Sequence, residues 1–457
     1  MKGDLVDIRS YISQIPEMDR FLTVDELHAN LDRVAADFPE LTTLKRVGSS
    51  KLGEPIRMLS IGSGSKNVCL FGCPHPNEPI GAMMVTYLSR LLCENSELRD
   101  SLDYTWHLIP TVDPDGTRLN EGWFAGPFTP KNYARNFYRP AGHEQVEWTF
   151  PNAYKTNYFD RTIPESETLM RLIDELKPEL VISLHNAGFG GVYYYLSRPL
   201  PEVYQTLHDL PGWEDLPLSL GEPEVPFATE YAPAIFKLIT TEDMVDYLEQ
   251  NGADISESSL GGSSAGYSAK YGTLTLVTEM AYFDDPRVND QTVTGTNRRE
   301  AILAGLDAAD EVTDFVSRQL DAVMGDLKAS SPFRTAVTSF NEEGKKHRGA
   351  ERTWAQTDPS TDRPATVAEL FSNRQEGQFY RLLQVGMLVR MLEGEVAIGN
   401  GTPKIRKHLQ ESLDAFNAWG DRLESELEYR VVPIRKLVAM HLGAALAVAS
   451  QLDGQHD

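Results

Sequence analysis

The segment that decides the fold spans residues 68–92 and reads VCLFGCPHPNEPIGAMMVTYLSRLL. It opens with an apolar run typical of a buried strand and closes with apolar residues at helical spacing. Pro79 suits the first turn of that helix. A second strand-like segment follows at residues 104–109. The order strand, helix, strand predicts a parallel βαβ unit.

The same alternation continues on both sides of this unit over residues 1–328, where we predict an α/β domain. The other predicted strands are residues 43–47, 56–61, 180–184 and 273–278. The predicted helices are residues 24–38, 78–92, 166–176, 236–250 and 298–327.

The composition changes after about residue 328. Residues 329–365 are rich in Ser, Thr, Pro and charge without a sustained period, which predicts a loop or linker. Residues 366–457 are predicted to form an all-helical C-terminal region with helices at 367–394, 404–428 and 433–452. The apolar face of the last helix must be buried, either within the chain or across a homodimer.

The chain has 457 residues and a formal net charge of −24. This charge argues against nucleic acid or an anionic membrane as a partner. The N-terminus has no apolar secretory signal, and the most apolar late stretch is too short to span a bilayer. Cys69 and Cys73 stand four apart in a predicted strand, about 13 Å between Cα atoms, too far for a disulfide. We expect a reduced, cytoplasmic setting.

His75 and Glu78 stand between the first strand of the βαβ unit and its helix. Ligand sites of open α/β sheets lie at the carboxyl ends of strands. Pro74, Pro76 and Pro79 stiffen the backbone, and imidazole and carboxylate are both good Zn²⁺ ligands. The alternative is a chance pair, in which a helix-capping acid lies beside a solvated histidine.

His185 and Glu279 also follow predicted strands. His185 can complete a set of two histidines and one carboxylate, which leaves a fourth metal position open for water. Glu279 can accept a proton from that water. A core histidine bonded to the backbone and an ordinary strand-end acid are the alternatives. Arg135, amid aromatic residues, can bind a carboxylate in a bidentate fork, although a surface arginine is the simpler interpretation.

These pieces, in this order, resemble the zinc carboxypeptidase family (peptidase family M14) typified by carboxypeptidase A. The resemblance covers residues 20–320. The matching motifs are His75 to Glu78, Asp113-Pro114-Asp115-Gly116, Ala134-Arg135-Asn136-Phe137, His185, and Gly261-Gly262 ahead of Glu279.

The resemblance implies a mixed, mostly parallel sheet flanked by helices and one Zn²⁺ ion. It assigns His75, Glu78 and His185 as metal ligands and Glu279 as general base. Arg135, with Asn136, would hold a free carboxylate of the substrate.

Three positions depart from the family pattern. Ala134 replaces an asparagine beside the carboxylate-binding arginine. The oxyanion-stabilising arginine has no clear match, since Arg118 and Lys131 are the cations of the intervening stretch. Glu257 stands where the family has a substrate-binding tyrosine, and it can contact a cationic substrate group.

We therefore predict a zinc metallocarboxypeptidase-like hydrolase that cleaves a peptide-like amide bond next to a free carboxylate. The expected substrate is a small peptide or an amino-acid conjugate. An N-acyl amino-acid deacylase with a related zinc site is one alternative. A non-catalytic helical scaffold with a vestigial site is the other.

Overall fold

A nine-stranded mixed sheet forms the centre of the computed structural model, which describes residues 7–255 and 259–454. In spatial order its strands are β1 (Thr42–Ser49), β2 (Pro55–Ile61), β4 (Tyr104–Ile109), β3 (Lys66–Gly72), β7 (Leu180–Leu184), β12 (Leu274–Glu279), β9 (Tyr193–Leu196), β11 (Ile235–Lys237) and β10 (Glu230–Ala232). Smaller sheets contain β5 (Asn152–Tyr154), β6 (Asn157–Phe159), β8 (Ala187–Phe189), β13 (Ala281–Asp284), β14 (Val293–Asn297), β15 (Pro364–Thr366) and β16 (Arg430–Val431).

Helices flank the sheet and form the C-terminal region. They are α1 (Ile8–Ser13), α2 (Val24–Asp37), α3 (Ile80–Glu94), α4 (Ser96–Ser101), α5 (Pro114–Asn120), α6 (Pro130–Asn136), α7 (Pro164–Leu176), α8 (Pro201–Trp213), α9 (Thr241–Gln250), α10 (Ser264–Ser268), α11 (Arg298–Val323), α12 (Pro332–Thr357), α13 (Val367–Phe371), α14 (Gly377–Ala397), α15 (Pro403–Glu426) and α16 (Ile434–Asp453). The predicted mixed, mostly parallel sheet and helical C-terminal region are confirmed. A membrane-crossing helix would need greater length and apolarity than any helix within residues 7–255 and 259–454 offers.

The four central strands β4, β3, β7 and β12 run parallel, and their register aligns their carboxyl ends. Gly72 of β3 lies opposite Leu184 of β7, which in turn lies opposite Thr278 of β12. The residues that follow these three positions therefore meet at one edge of the sheet.

The C-terminal helix α16 returns to the sheet. It packs against α3, α8, β7 and β12, and Leu437, Met440 and Leu446 are fully buried. The hydroxyl of Tyr104 in β4 donates to the carbonyl of Ala449 at 3.2 Å. The apolar face of this helix is therefore buried within the chain.

Residues 329–365 are not the predicted loop, because α12 occupies most of them. Ser331 caps the helix by accepting from the amide of Arg334, and Pro332 occupies its first turn. Small and polar residues, including Ala336, Ser339 and Asn341, form much of its buried side. The apolar periodicity that reveals a helix in sequence was therefore weak.

Two further predictions have definite outcomes. The helix predicted at 236–250 starts later, at Thr241, since residues Ile235–Lys237 form β11 and Thr240 and Asp243 form a capping box. Cys69, Cys73 and Cys93 are buried, and the structure contains no bond between any two of them.

Candidate metal centre

His75 and Glu78 lie in the short connection between β3 and α3. Cys73 adopts a left-handed backbone conformation, with φ of 51°, and turns the chain out of the strand. The amide of Glu78 donates to the carbonyl of His75 at 3.0 Å, which closes a tight turn before α3 begins at Ile80. This turn directs both side chains toward the end of β7, where His185 follows Leu184.

Lone-pair atoms from three residues converge at this edge. The Nδ1 atoms of His75 and His185 lie 3.1 Å apart. Both carboxylate oxygens of Glu78 lie 3.1 Å from His75 Nδ1, and Oε2 lies 3.1 Å from His185 Nδ1. The three ligand atoms, one from each residue, all lie within 4.8 Å of one another. Two histidines and a carboxylate with an open side are the donor set of a catalytic zinc site.

A buried relay determines which nitrogen of His185 faces this site. Ser183 Oγ lies 2.6 Å from Glu147 Oε1 and 2.8 Å from His185 Nε2. A carboxylate only accepts, so the serine hydroxyl donates to Glu147 and accepts from Nε2–H. His185 Nδ1 then carries a lone pair, as a metal ligand requires. Ser264 holds Glu147 through its amide at 2.9 Å and its hydroxyl at 3.0 Å.

The charge states of the other two candidate ligands also suit a cation. Burial, and next the Arg139 guanidinium, lower the pKa of His75 to about 3, so its imidazole is neutral at physiological pH. Burial alone would raise the pKa of Glu78, but the two imidazoles outweigh it and hold that pKa below its ordinary value. His75 and Glu78 therefore present a neutral nitrogen and a negative charge.

Glu279 lies at the end of β12 beside the three candidate ligands. Its Oε1 is 3.9 Å from His185 Nδ1, and the residue is 7% exposed. Burial, and next Glu224 and Glu78, raise the pKa of Glu279 well above its ordinary value. A raised pKa makes a carboxylate a better proton acceptor near neutral pH.

Arg139 brings positive charge to the same site. Its Nη1 lies 3.5 Å from Glu78 Oε1, and its Nε donates to Gln145 Oε1 at 3.2 Å. By contrast, Arg118 pairs with Asp25 and Glu54. Arg139 thus occupies a place where it can contact negative charge that develops next to the ligands.

These residues face a cavity of about 1290 Å³. One wall comes from the sheet, with Thr275, Val277 and Glu279 of β12 on one strand face. Another wall comes from α12, from the segment that leads into α14 and from α14 itself. Its members include Phe340, Glu343, His347, Glu376, Tyr380 and Met387. The C-terminal helices therefore restrict access to the candidate site.

A family model for zinc carboxypeptidases matches residues 27–268, which is more than half of the chain. The chain belongs to the zinc carboxypeptidase family. This family is zinc-dependent, and the group formed by His75, Glu78 and His185 could hold a metal ion.

Individual relatives within the zinc carboxypeptidases match over shorter stretches. Carboxypeptidase B of Astacus astacus is 33% identical over 97 residues, which are 20% of this chain and 32% of the relative. Zinc carboxypeptidase A 1 of Anopheles gambiae is 34% identical over 99 residues, or 21% of this chain and 23% of the relative. The chain thus spans about a third or less of these curated relatives. The solved carboxypeptidase A of Helicoverpa armigera is 15% identical, with a TM-score of 0.37, over 77% of this chain and 79% of that one.

The structure brings together four of the site residues predicted from the zinc carboxypeptidase resemblance, namely His75, Glu78, His185 and Glu279. The predicted carboxylate-binding pair lies elsewhere. Arg135 is on α6 and binds Glu393 of α14 at 2.5 Å, and Asn136 donates to Asn132 on its own helix. Neither residue lines the cavity, because α6 turns this face toward the C-terminal helices.

The remaining substrate and oxyanion predictions have three outcomes. Glu257 lies outside the described residues. Arg118 is held by acids away from the cavity, and Lys131 binds Asp421 on α15. Neither cation lines the cavity.

Sequence reasoning missed Arg139, Glu147 and Ser183. Ser183 carried a usable signal, since it is the polar residue of an apolar strand and stands two positions before His185, on the same strand face. Arg139 lies four residues after Arg135, and no local sequence pattern indicated which of the two arginines lies at the site. Glu147 has no local signal, because its role depends on contacts with residues 36 and 117 positions away.

Proposed function

We propose that this chain hydrolyses a peptide-like amide bond in a small substrate, with one Zn²⁺ ion held by His75, Glu78 and His185 and with Glu279 as general base. The observation that carries the proposal is the position of Glu279 Oε1, 3.9 Å from His185 Nδ1 and outside the group of ligand atoms. Bound zinc lowers the pKa of a water molecule and polarises a carbonyl group.

The side chains supply the rest of the mechanism. Glu279 accepts a proton from the attacking water and returns it to the leaving nitrogen, a role favoured by the raised pKa of its buried carboxyl group. Arg139 stabilises the negative charge that develops on the carbonyl oxygen, since its guanidinium stands beside Glu78. Ser183 and Glu147 keep His185 in the tautomer that binds metal.

The cavity supports a small substrate. Residues of α12 and α14 line one side of it, and the buried base Glu279 lies in its sheet wall, an arrangement that favours a small substrate. Arg135 faces away, and the arginines of the lining within the described residues are Arg139 and Arg161. We therefore propose that a free carboxylate of the substrate, where one is present, binds at these two arginines.

The test is zinc content and turnover of N-blocked dipeptides by wild-type protein and by Glu279→Gln. We expect about one zinc per chain in both proteins and a kcat at least about 10²-fold lower in the variant. Absence of zinc from folded wild-type protein, or full activity of the variant, would contradict the proposal. Release of a C-terminal amino acid supports a carboxypeptidase, and release of a short acyl acid supports an N-acyl amino-acid deacylase.

A further inference from the structure

Two tyrosines stand next to Glu279 in the sheet wall of the cavity. The antiparallel pairing of β12 with β9 places Tyr193 opposite Glu279 and Tyr195 opposite Val277. Directly opposed residues share a sheet face, so both tyrosines point into the cavity beside the proposed base. Both residues belong to the cavity lining and are 8% and 3% exposed.

These tyrosines hold a carboxylate in the cavity. The Tyr193 hydroxyl donates to Glu224 Oε1 at 2.5 Å, and the Tyr195 hydroxyl donates to Oε2 at 3.0 Å. Both side-chain oxygens of Glu224 are thus held in place on a loop that lines the cavity.

A second carboxylate comes from the opposite wall. Glu376 ends a π-helical turn, Ser372–Glu376, that joins α13 to α14, and it lines the cavity. Tyr380 lies one turn further on the same helix face, where its hydroxyl accepts from the amide of Gly188 at 3.5 Å. Burial raises the pKa of Glu376 to about 8, and Glu224 adds to the rise.

Among the described residues, no cation forms an ion pair with either of these two carboxyl groups. The nearby arginines are engaged elsewhere, since Arg139 pairs with Glu78 and Arg298 with Glu222. Across residues 7–255 and 259–454, neither Glu224 nor Glu376 forms an ion pair.

Unpaired buried polar groups mark the same cavity. Thr275, on the same face of β12 as Glu279 and diagonal to Tyr195, is 1% exposed, and its Oγ1 has no hydrogen-bond partner among the described residues. Asn186 is 3% exposed, and the nitrogen and oxygen of its side-chain amide also have no hydrogen-bond partner among the described residues. Buried polar groups are nearly always paired, so these side chains indicate a polar ligand in the cavity.

We propose that Glu224, Glu376 and the tyrosines Tyr193, Tyr195 and Tyr380 form a subsite for a cationic group of the substrate, an ammonium or a guanidinium. The Glu224 side chain supplies carboxylate oxygens, and a bound cation would favour the ionised form of Glu376. The tyrosine rings supply aromatic surface that also favours cations. This inference rests on the proposed function, because the subsite adjoins Glu279. It narrows the substrate class to amides that carry a positive charge near the scissile bond.

Matched substrates test the subsite. Two series of N-blocked dipeptides carry lysine, norleucine or glutamate, one series on each side of the scissile bond. The zinc-loaded enzyme is assayed with every substrate, and kcat/KM is measured. At one of the two positions, we expect kcat/KM for the lysine substrate to exceed that for the norleucine substrate at least about tenfold. A single ion pair that is shielded from bulk water accounts for a preference of this size. Glu224→Gln and Glu376→Gln should abolish this preference while retaining zinc and turnover of the norleucine substrate. Glu342→Gln, an exposed acid of α12 outside the lining, should retain it.

Binding of a small cation tests the proposed subsite without substrate turnover. Calorimetry compares n-butylammonium with 1-butanol on zinc-loaded wild type, Glu224→Gln and Glu342→Gln. Tighter binding of the cation to wild type and to Glu342→Gln, lost in Glu224→Gln, supports the subsite. Equal binding of both probes, or a cation preference that survives Glu224→Gln, overturns it. Failure of every dipeptide to turn over, together with selective cation binding, would count against the proposed hydrolysis and not against the subsite.

Discussion

The Nδ1 atoms of His75 and His185 lie 3.1 Å apart although 110 residues separate them in the chain. Each stands at the carboxyl end of a central parallel strand, and Glu78 presents both carboxylate oxygens to the same point. Two ring nitrogens with lone pairs at this distance repel each other unless a cation or a proton lies between them. The arrangement leads to five predictions.

Replacement of either histidine should abolish zinc binding. In His75→Ala or His185→Ala the remaining two ligands are too few for a tight catalytic site. Wild-type protein should gain about 2.7 kcal/mol of unfolding free energy at a zinc concentration 100 times Kd, and the variants should gain none. Thermal unfolding with and without zinc measures this, with His208→Ala of α8, outside the cavity lining, as the control. Equal stabilisation of all proteins would contradict the site.

Removal of the serine hydroxyl should weaken zinc binding without removing a ligand. Ser183→Ala leaves His185 Nε2 without its acceptor, so the imidazole loses its fixed tautomer. We expect a loss of about 10- to 100-fold in zinc affinity, measured by competition with a chelator. Thr278→Val removes a buried hydroxyl at the neighbouring strand end that has no partner within the described residues, and should leave affinity unchanged.

Arg139 and Arg135 should differ sharply in their effect on activity. Arg139→Ala should lower kcat by about 10²- to 10³-fold, as loss of an oxyanion-stabilising group does. Arg135→Ala removes an ion pair with Glu393 and should cost at most about 1 kcal/mol of stability. Steady-state kinetics and thermal unfolding of both variants check this. A larger loss of activity in Arg135→Ala would restore the sequence-based assignment.

Glu376 should make stability depend on pH. Its pKa of about 8 in the folded protein exceeds that of the unfolded chain, so the folded state holds a proton that the unfolded state has lost between about pH 4.5 and 8. Its contribution to stability therefore falls as pH rises through this range, by at most about 1.4 kcal/mol per pH unit. Glu376→Gln cannot ionise, so its melting temperature relative to wild type should rise from pH 5 to pH 8 in metal-free protein. A constant difference would contradict this.

The last helix should be essential to the stability of the sheet. Leu446 is fully buried on α16, which packs on β7 and β12. Leu446→Ala should cost about 2–5 kcal/mol. Ile398→Ala, at a position 60% exposed after α14, should change stability by less than about 0.5 kcal/mol. Equal stability of both variants would contradict this role of the last helix. The domain boundary predicted at residue 328 stays a prediction.

The candidate metal ligands and the proposed base could be predicted because their signals are local. His75, His185 and Glu279 each follow an apolar strand, and the carboxyl ends of neighbouring parallel strands must meet. The helix α12 could not be predicted in the same way. Its buried side is carried largely by small and polar residues, so burial there depends on packing partners and not on apolar periodicity.

The sequence by itself determined the order of strands and helices, the candidate ligand set and the family, since these follow from patterns within short segments. Only the tertiary structure decided which arginine stands at the site, how Glu147 and Ser183 orient His185, and which helices close the cavity. These features depend on side chains that lie far apart in the chain and meet only after the C-terminal helices have packed against the sheet and α6. Such contacts leave no periodicity or spacing in a single sequence.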